Sequence, residues 1–238
     1  MDIAILKWVD ATFHGQVWLN YIMKYITYIG EFGAAAIITA VVLFIFKKTR
    51  WAGVTVAVTF ILDVLVVNVI LKLAVNRARP WQTYPELNFQ QFHQSIGVRE
   101  PTDSSFPSGH TAALFAAAVA LVMIYKVKGL PALAVAFLVA ISRIYLCMHY
   151  PSDVLGGMLI GSACGVGGYF LTKLIKKLYD NKIKPFLDEK FKKKKPSAEA
   201  AGEPSLIDGD GGGGLTAEAS ESAPVEEETS EDEKIEEK

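Results

Sequence analysis

The stretch from Ser142 to Asp153 places an arginine, a histidine and an aspartate between two apolar runs. Ionisable groups at the margin of a membrane segment are rare unless they pair or act, so they indicate a functional site. Pro151 favours a helix boundary here, and Ser152 suits the cap of the following helix. His149 and Asp153 would then meet, and an aspartate that accepts from one imidazole nitrogen leaves the other free as base or nucleophile. The alternative is an interfacial polar turn with a capping aspartate.

A second group of charges ends the apolar run before Arg79. Lys72 and Arg79 are almost two helical turns apart, so on a helix both side chains would project along one face. Two cations on one face repel each other unless an anion lies between them. Snorkelling of basic residues at a helix end is the alternative, which fits one cation better than three, with Arg77.

A third polar group precedes the apolar run that starts at Thr111. A proline and a serine indicate a helix start, and a glycine lets the backbone approach a ligand, so free N–H groups there would bind an anion. His110 would lie beside that anion. Alone, the motif could be only a helix cap. Its residues are Pro107, Ser108, Gly109 and His110.

Together the three groups have the composition of a phosphate site. Fixed arginine and lysine donors stabilise the negative charge of phosphoryl transfer, and serine and glycine add neutral donors. No surplus carboxylates of the kind that hold magnesium accompany them, so we expect chemistry without metal or cofactor. The candidate cations are Lys72, Arg79 and Arg143; the proton and nucleophile chemistry would come from His110, His149 and Asp153.

The elements that would position these residues are membrane helices. Apolar runs near the length of a hydrocarbon core predict an all-α polytopic bundle, since helices satisfy their own backbone groups in lipid. A short amphipathic helix is expected over residues 3–13, and no cleaved signal peptide is expected. If residues 16–29 also cross, there are six spans. The other runs cover residues 34–46, 54–75, 111–125, 130–141 and 154–170.

Basic loops after residue 46, around residue 127 and after residue 172 indicate the cytoplasmic side. The polar loops with the candidate site residues would then lie on the extracytoplasmic face. A crossing by residues 16–29 is favoured, and it would place both termini inside. Asp63 and Asn68 lie within a span, and for Asp63 a hydrogen bond between helices is favoured over a relay or ligand role. Cys147 and Cys164 have no metal or redox spacing and are expected to be buried thiols.

Three segments are predicted along the chain. Residues 1–178 form the membrane domain, and residues 179–195 are a basic segment expected to rest on anionic headgroups. Residues 196–238 are acidic and lack the apolar residues of a core, so they are expected to be disordered.

The motifs resemble the three-part signature of the type 2 phosphatidic acid phosphatase superfamily, in order and at the expected spacing. The resemblance covers residues 30–172 and implies a six-helix membrane lipid phosphatase with its site at the outer face. It implies that His149 is the nucleophile that forms a phosphohistidine, that Asp153 orients it and that His110 protonates the leaving oxygen. Residues implied to bind the phosphoryl group are Lys72, Arg79, Ser108, Gly109 and Arg143.

The function expected from this resemblance is hydrolysis of a lipid phosphomonoester or diphosphate in the cell membrane. The small size and outer site favour undecaprenyl diphosphate, followed by phosphatidylglycerophosphate or phosphatidic acid. A carrier or sensor that binds lipid phosphate without turnover is the alternative. A haloperoxidase with the same signature is disfavoured by the membrane body. Membrane lipids are the expected partners, and nucleic acid is not.

Overall fold

The computed structural model describes residues 1–192, which contain helices and no strand. The predicted acidic segment, residues 196–238, lies outside this range. Residues 179–192 of the predicted basic segment continue as helix, including a π-helix over Tyr179–Ile183. The α-helices are α1 (Asp2–Phe13), α2 (Val17–Tyr28), α3 (Ala34–Ile45), α4 (Arg50–Asp63), α5 (Lys72–Val75), α6 (Pro80–Thr83), α7 (Phe89–Ile96), α8 (Gly109–Tyr125), α9 (Leu130–Tyr145), α10 (Pro151–Leu178) and α11 (Lys184–Lys192).

Four helical segments of the described chain are long and apolar enough to cross a membrane. Their outer faces carry exposed Ile, Leu, Val and Phe side chains, as lipid contact requires. One segment is a hairpin, because Lys126 (φ 57°) separates α8 from α9 and Phe115 packs edge-on against Phe137 with ring centroids 4.9 Å apart. The four segments are Val17–Ile45, Arg50–Thr83, Gly109–Tyr145 and Pro151–Leu187.

Helices α2 and α3 belong to one long helical segment that is interrupted by a break. The predicted break at residues 30–33 is present, with Phe32 at φ 50° and Gly33 at φ 70°. Thr27 of α2 hydrogen-bonds Arg143, whereas α3 approaches the start of α4, where a Cβ on Gly53 would lie 2.6 Å from the carbonyl oxygen of Ala40. Six separate spans are therefore not confirmed.

The second long element departs from regular α-helix where the candidate cations begin. A π-helix over Val64–Leu71 joins α4 to α5, and the helix ends at Asn76 with φ 43°. Arg79 lies beyond this end in extended backbone and directly precedes α6. The prediction that Lys72 and Arg79 share one helical face is therefore wrong; a turn of the chain brings them together.

Helices α8 and α10 approach closely along a seam of small residues. A Cβ on Gly157 would lie 2.7 Å from the carbonyl oxygen of Ser108, and one on Gly161 would lie 2.2 Å from that of Ala112. Such small residues let helix backbones approach closely. Close packing of this kind holds membrane helices together, because the hydrophobic effect does not drive their association in lipid. This seam holds the start of α8 beside the start of α10, which positions the candidate site.

Helix α1 occupies the stretch predicted to form a short N-terminal helix. Leu6 and Val9 are buried against the loop that follows α9, whereas Trp8 is 59% exposed. The prediction of buried free thiols at Cys147 and Cys164 is confirmed.

Candidate active site

A cavity of about 490 Å³ opens where the candidate motifs meet. The three motifs, far apart in the chain, contribute to one wall of this cavity. Ser108 does not line the cavity. Its hydroxyl is buried and lies 3.0 Å from the hydroxyl of Thr111. Asp153 lies behind the wall, fully buried. The predicted site residues that line the cavity are Lys72, Arg79, Gly109, His110, Arg143 and His149.

The hydrogen bonds of His149 set its tautomer. Nδ1 lies 2.8 Å from the carbonyl oxygen of Ser105, which can only accept, so Nδ1 carries the proton. Nε2 lies 3.2 Å from Nη1 of Arg79, which can only donate, so Nε2 is unprotonated and its lone pair accepts this hydrogen bond. The cavity therefore faces an imidazole whose Nε2 is unprotonated, as a nucleophile requires.

Asp153 does not make the expected direct bond to His149. The carboxylate oxygen Oδ2 lies 3.7 Å from Nδ1, beyond hydrogen-bond distance. It instead accepts from the Ser105 hydroxyl at 2.5 Å, while Oδ1 accepts from Arg77 at 2.5 Å. Asp153 therefore reaches the imidazole through Ser105, whose side chain contacts the carboxylate and whose carbonyl contacts Nδ1.

The turn before α10 also differs in its cap. Pro151 begins the helix as predicted, but the preceding residue is Tyr150, whose backbone N–H donates to Asp153 at 3.0 Å. Ser152 is not the cap; its hydroxyl donates to the carboxylate of Asp2 in α1. Sequence reasoning missed the contribution of Ser105, although its place next to the Pro107 motif was a signal.

The environment of His149 keeps its imidazole neutral. Burial lowers the pKa of His149, and the nearby positive charges of Arg79, Arg143 and Lys72 lower it further. The folded pKa lies below the usual value of 6.5, so Nε2 stays unprotonated at and above that pH. A nucleophile of this kind needs no separate base.

Two cations of the cavity are held by a carboxylate that sequence reasoning did not identify. Asp103 pairs with Lys72, and its Oδ1 lies 2.5 Å from Nη2 of Arg79. Burial alone would raise the pKa of Asp103, but hydrogen bonds and charges of both cations outweigh it and lower the pKa to about 2. Asp103 thus stays ionised at neutral pH and occupies two donors that a phosphate would need.

Replacing Asp103 with asparagine is expected to lower KM for a phosphorylated substrate by about 3- to 10-fold, because the amide competes less for Lys72 and Arg79. Competitive inhibition by inorganic phosphate should strengthen in parallel, with kcat nearly unchanged. Since the pKa of Asp103 is about 2, the ratio of KM between Asp103→Asn and the unsubstituted protein should not vary between pH 5 and 8. Steady-state kinetics across that range measure it.

Asp180→Asn is the matched control, since Asp180 pairs with Lys176 on an exposed helix face. A rise of KM in Asp103→Asn alone would show that Asp103 holds the two cations in place for substrate and does not compete with it.

Arg143 is a buried cation without an anionic partner in the described part of the chain. Its side chain is 3% exposed, and among residues 1–192 no carboxylate lies within salt-bridge distance. Nη1 donates to the Thr27 hydroxyl at 2.8 Å, and Nε has no partner in the same range. A buried guanidinium left in this state is costly, so the cavity is built to receive an anion.

Small residues bring His110 and Lys72 into the cavity. A Cβ on Gly30 would lie 3.2 Å from Cδ2 of His110, so the break between α2 and α3 makes room for the imidazole. A Cβ on Gly109 would lie 3.3 Å from Nζ of Lys72. Gly109 therefore admits Lys72 to the N-terminal end of α8, where free N–H groups and the helix dipole favour an anion.

Comparison with known proteins decides the family. A profile described as the PAP2 superfamily matches residues 51–177. The chain is similar to phosphatidylglycerophosphatase B of Bacillus subtilis (strain 168), with 34% identity over 78% of this chain and 86% of the relative. The chain belongs to the PAP2 superfamily. The family expected from the sequence motifs is thereby confirmed.

Other relatives of this PAP2 protein carry related names. It is 32% identical to an undecaprenyl-diphosphatase of Sulfolobus acidocaldarius over 60% of this chain and 66%, just under two thirds, of the relative. The crystal structure of a transmembrane PAP2-type phosphatidylglycerolphosphate phosphatase from Bacillus subtilis matches with a TM-score of 0.54 and 29% identity, over 74% of this chain and 84% of that one.

These similarities establish the enzyme class. The relatives are named phosphatases or diphosphatases of a family of metal-independent hydrolases, so this chain is a metal-independent phosphoric-ester or diphosphate hydrolase. Its apolar helices and membrane neighbours make it a membrane protein.

Proposed function

We propose that this PAP2 protein removes a phosphoryl group from a membrane lipid through a phosphohistidine on His149. The observation that carries the proposal is Arg143, a buried guanidinium with no carboxylate partner among residues 1–192, which lines the same cavity as Lys72, Arg79 and His149. An anion entering the cavity would pair with it. A lipid phosphate is the anion that a membrane hydrolase of this family meets.

The first step is attack on phosphorus by Nε2 of His149, with cleavage of the bond to the leaving oxygen. Lys72, Arg79 and Arg143 stabilise the equatorial oxygens once Asp103 releases its two cations. Backbone N–H groups from Gly109 onward, at the start of α8, add neutral donors. Ser108 is the residue that directly precedes this helix. His110, in its protonated form, gives a proton to the leaving lipid oxygen and becomes neutral, and the lipid leaves as an alcohol or a monophosphate.

The second step returns the enzyme to its starting state. Water attacks the phosphohistidine, His110 takes the proton from that water, and the P–N bond breaks to release inorganic phosphate. The phosphorylated imidazole carries positive charge, which the Ser105 carbonyl and the carboxylate of Asp153 stabilise from the Nδ1 side. Asp153 thus acts as a positioning residue through Ser105 and as a buried counter-charge.

Phosphate release in detergent with EDTA tests the proposal. Phosphatidic acid, phosphatidylglycerophosphate and undecaprenyl diphosphate are the substrates, and His149→Ala is the inactive control. We expect turnover that EDTA does not reduce. Lipid binding without phosphate release in the unsubstituted protein would instead support a carrier or sensor.

We further propose a multi-pass cell-membrane protein with five crossings and the cavity at the extracytoplasmic face. Trp51 at the start of α4 packs against Tyr179 after α10, with ring centroids 5.6 Å apart, so these ends share one side. The helix directions place the basic turn at residues 126–129 on that side, away from the cavity. The positive-inside rule then makes that side cytoplasmic. With α2 and α3 as one crossing, α1 lies beside the cavity as an interfacial helix.

Cysteine labelling of intact cells with a membrane-impermeant maleimide is expected to modify Lys7→Cys and Gln94→Cys but not Lys128→Cys. All three positions are exposed, and both native cysteines are buried. Labelling of Lys7→Cys only after permeabilisation would instead support six crossings. Labelling of Lys128→Cys in intact cells would invert the topology.

A further inference from the structure

The cavity extends beyond the phosphate-binding cations into the membrane-spanning part of the protein. Apolar walls are formed by Phe32 at the break between α2 and α3, by Phe60 of α4 and by Val64. Two polar side chains, Asp63 and Asn68, line the same extension. An apolar channel for a lipid tail would not require a carboxyl group.

Among residues 1–192, Asp63 has no hydrogen-bond partner that explains its burial. It is 1% exposed, and Oδ1 makes no hydrogen bond with any residue between 1 and 192. The hydrogen bond between helices that the sequence favoured for Asp63 is therefore not formed. A buried polar group without a partner costs free energy, and native proteins rarely retain one without a ligand or function.

The π-helix gives Asp63 its place in the cavity. At about 100° per residue, a regular α-helix would point residues 63 and 72 in opposite directions. The wider turns of the π-helix over Val64–Leu71 change this angle, and both Asp63 and Lys72 line the cavity. Departures of this kind are frequent at functional sites. Asn68, within the π-helix, lies between them and approaches Gly109, where a Cβ would lie 3.4 Å from its Oδ1.

We propose that Asp63 and Asn68 form a subsite for an uncharged hydrogen-bond donor, a hydroxyl on the alcohol portion of the lipid phosphate. This inference rests on the proposed function and narrows its substrate class. Lipids whose alcohol portion carries free hydroxyls, such as glycerol or sugar headgroups, satisfy the carboxyl of Asp63. A polyprenyl chain offers no donor and would leave it unpaired, which reverses the substrate order expected from the sequence.

Two substitutions in the full-length protein test the subsite. Asp63→Leu removes the acceptor, and Asp63→Asn retains an acceptor oxygen at the same position. Kinetics would compare phosphatidylglycerophosphate, whose headgroup glycerol has a free hydroxyl, with phosphatidic acid and undecaprenyl diphosphate, which have none on the alcohol portion.

For Asp63→Leu we expect kcat/KM on phosphatidylglycerophosphate to fall about 10- to 100-fold, with less than about threefold change on the other two lipids. Asp63→Asn should retain an intermediate value. An equal loss on all three lipids, or no loss on any, would overturn the subsite and leave the phosphatase function intact.

Binding separates this inference from the proposed function. In the His149→Ala background, phosphatidylglycerol should bind more weakly once Asp63→Leu is added, whereas undecaprenyl phosphate should not. If the unsubstituted protein releases phosphate from none of the lipids, the phosphatase proposal fails. The binding comparison then decides the subsite. Equal binding of phosphatidylglycerol by His149→Ala with and without Asp63→Leu overturns it.

Discussion

His149→Ala is expected to lower kcat by about 10⁴-fold or more, because the variant lacks the atom that forms the covalent bond to phosphorus. Radiolabelled lipid phosphate, quenched rapidly, should label the unsubstituted enzyme with an acid-labile, base-stable phosphoramidate. The label should be absent from His149→Ala. His110→Ala should lose less activity on p-nitrophenyl phosphate than on a lipid, because that leaving group needs little protonation.

A matched control for His149→Ala is His14→Ala. His14 contacts the same loop, with Nε2 2.7 Å from the carbonyl oxygen of Tyr145, but does not line the cavity. We expect it to retain activity within about threefold, as for most changes outside the reacting groups. Covalent labelling that persists in His149→Ala would refute the assigned nucleophile.

The second large effect is expected from Gly161→Ala in α10. The added Cβ would lie 2.2 Å from the carbonyl oxygen of Ala112, so α8 and α10 must move apart. Overpacking of this kind costs about 1–3 kcal/mol of stability. Separation of the helices also moves His110 away from His149, and such displacement can cost about 100-fold in rate. Thermal unfolding in detergent and kcat measure the two effects.

Gly167→Ala provides the control within the same helix. Its Cβ would meet only Cδ2 of Leu62 at 3.5 Å, an ordinary contact, and alanine raises helix propensity equally at both positions. We expect this variant to be as stable as the unsubstituted protein or slightly more so. Equal behaviour of Gly161→Ala and Gly167→Ala would contradict the close packing of α8 on α10.

Local sequence patterns were sufficient to predict the family, the helical membrane body and a set of site residues, most of which line the cavity. Apolar runs depend on neighbouring residues alone, because each membrane helix satisfies its own backbone groups. The motif around His110 and the start of α10 at Pro151 follow from the same local rules. These features need no knowledge of distant contacts.

Contacts between distant segments were decided only by the tertiary structure. Nothing near Asp103 in the chain indicates that it would hold Lys72 and Arg79. The place of Ser105 next to the Pro107 motif suggests a site residue, but not that Ser105 would lie between His149 and Asp153. The path of α2 and α3 across their break is likewise not given by hydropathy, which does not tell whether a helix resumes its direction after a break. Such contacts arise when separate helices pack, and the packing seam at Gly161 brings their ends together.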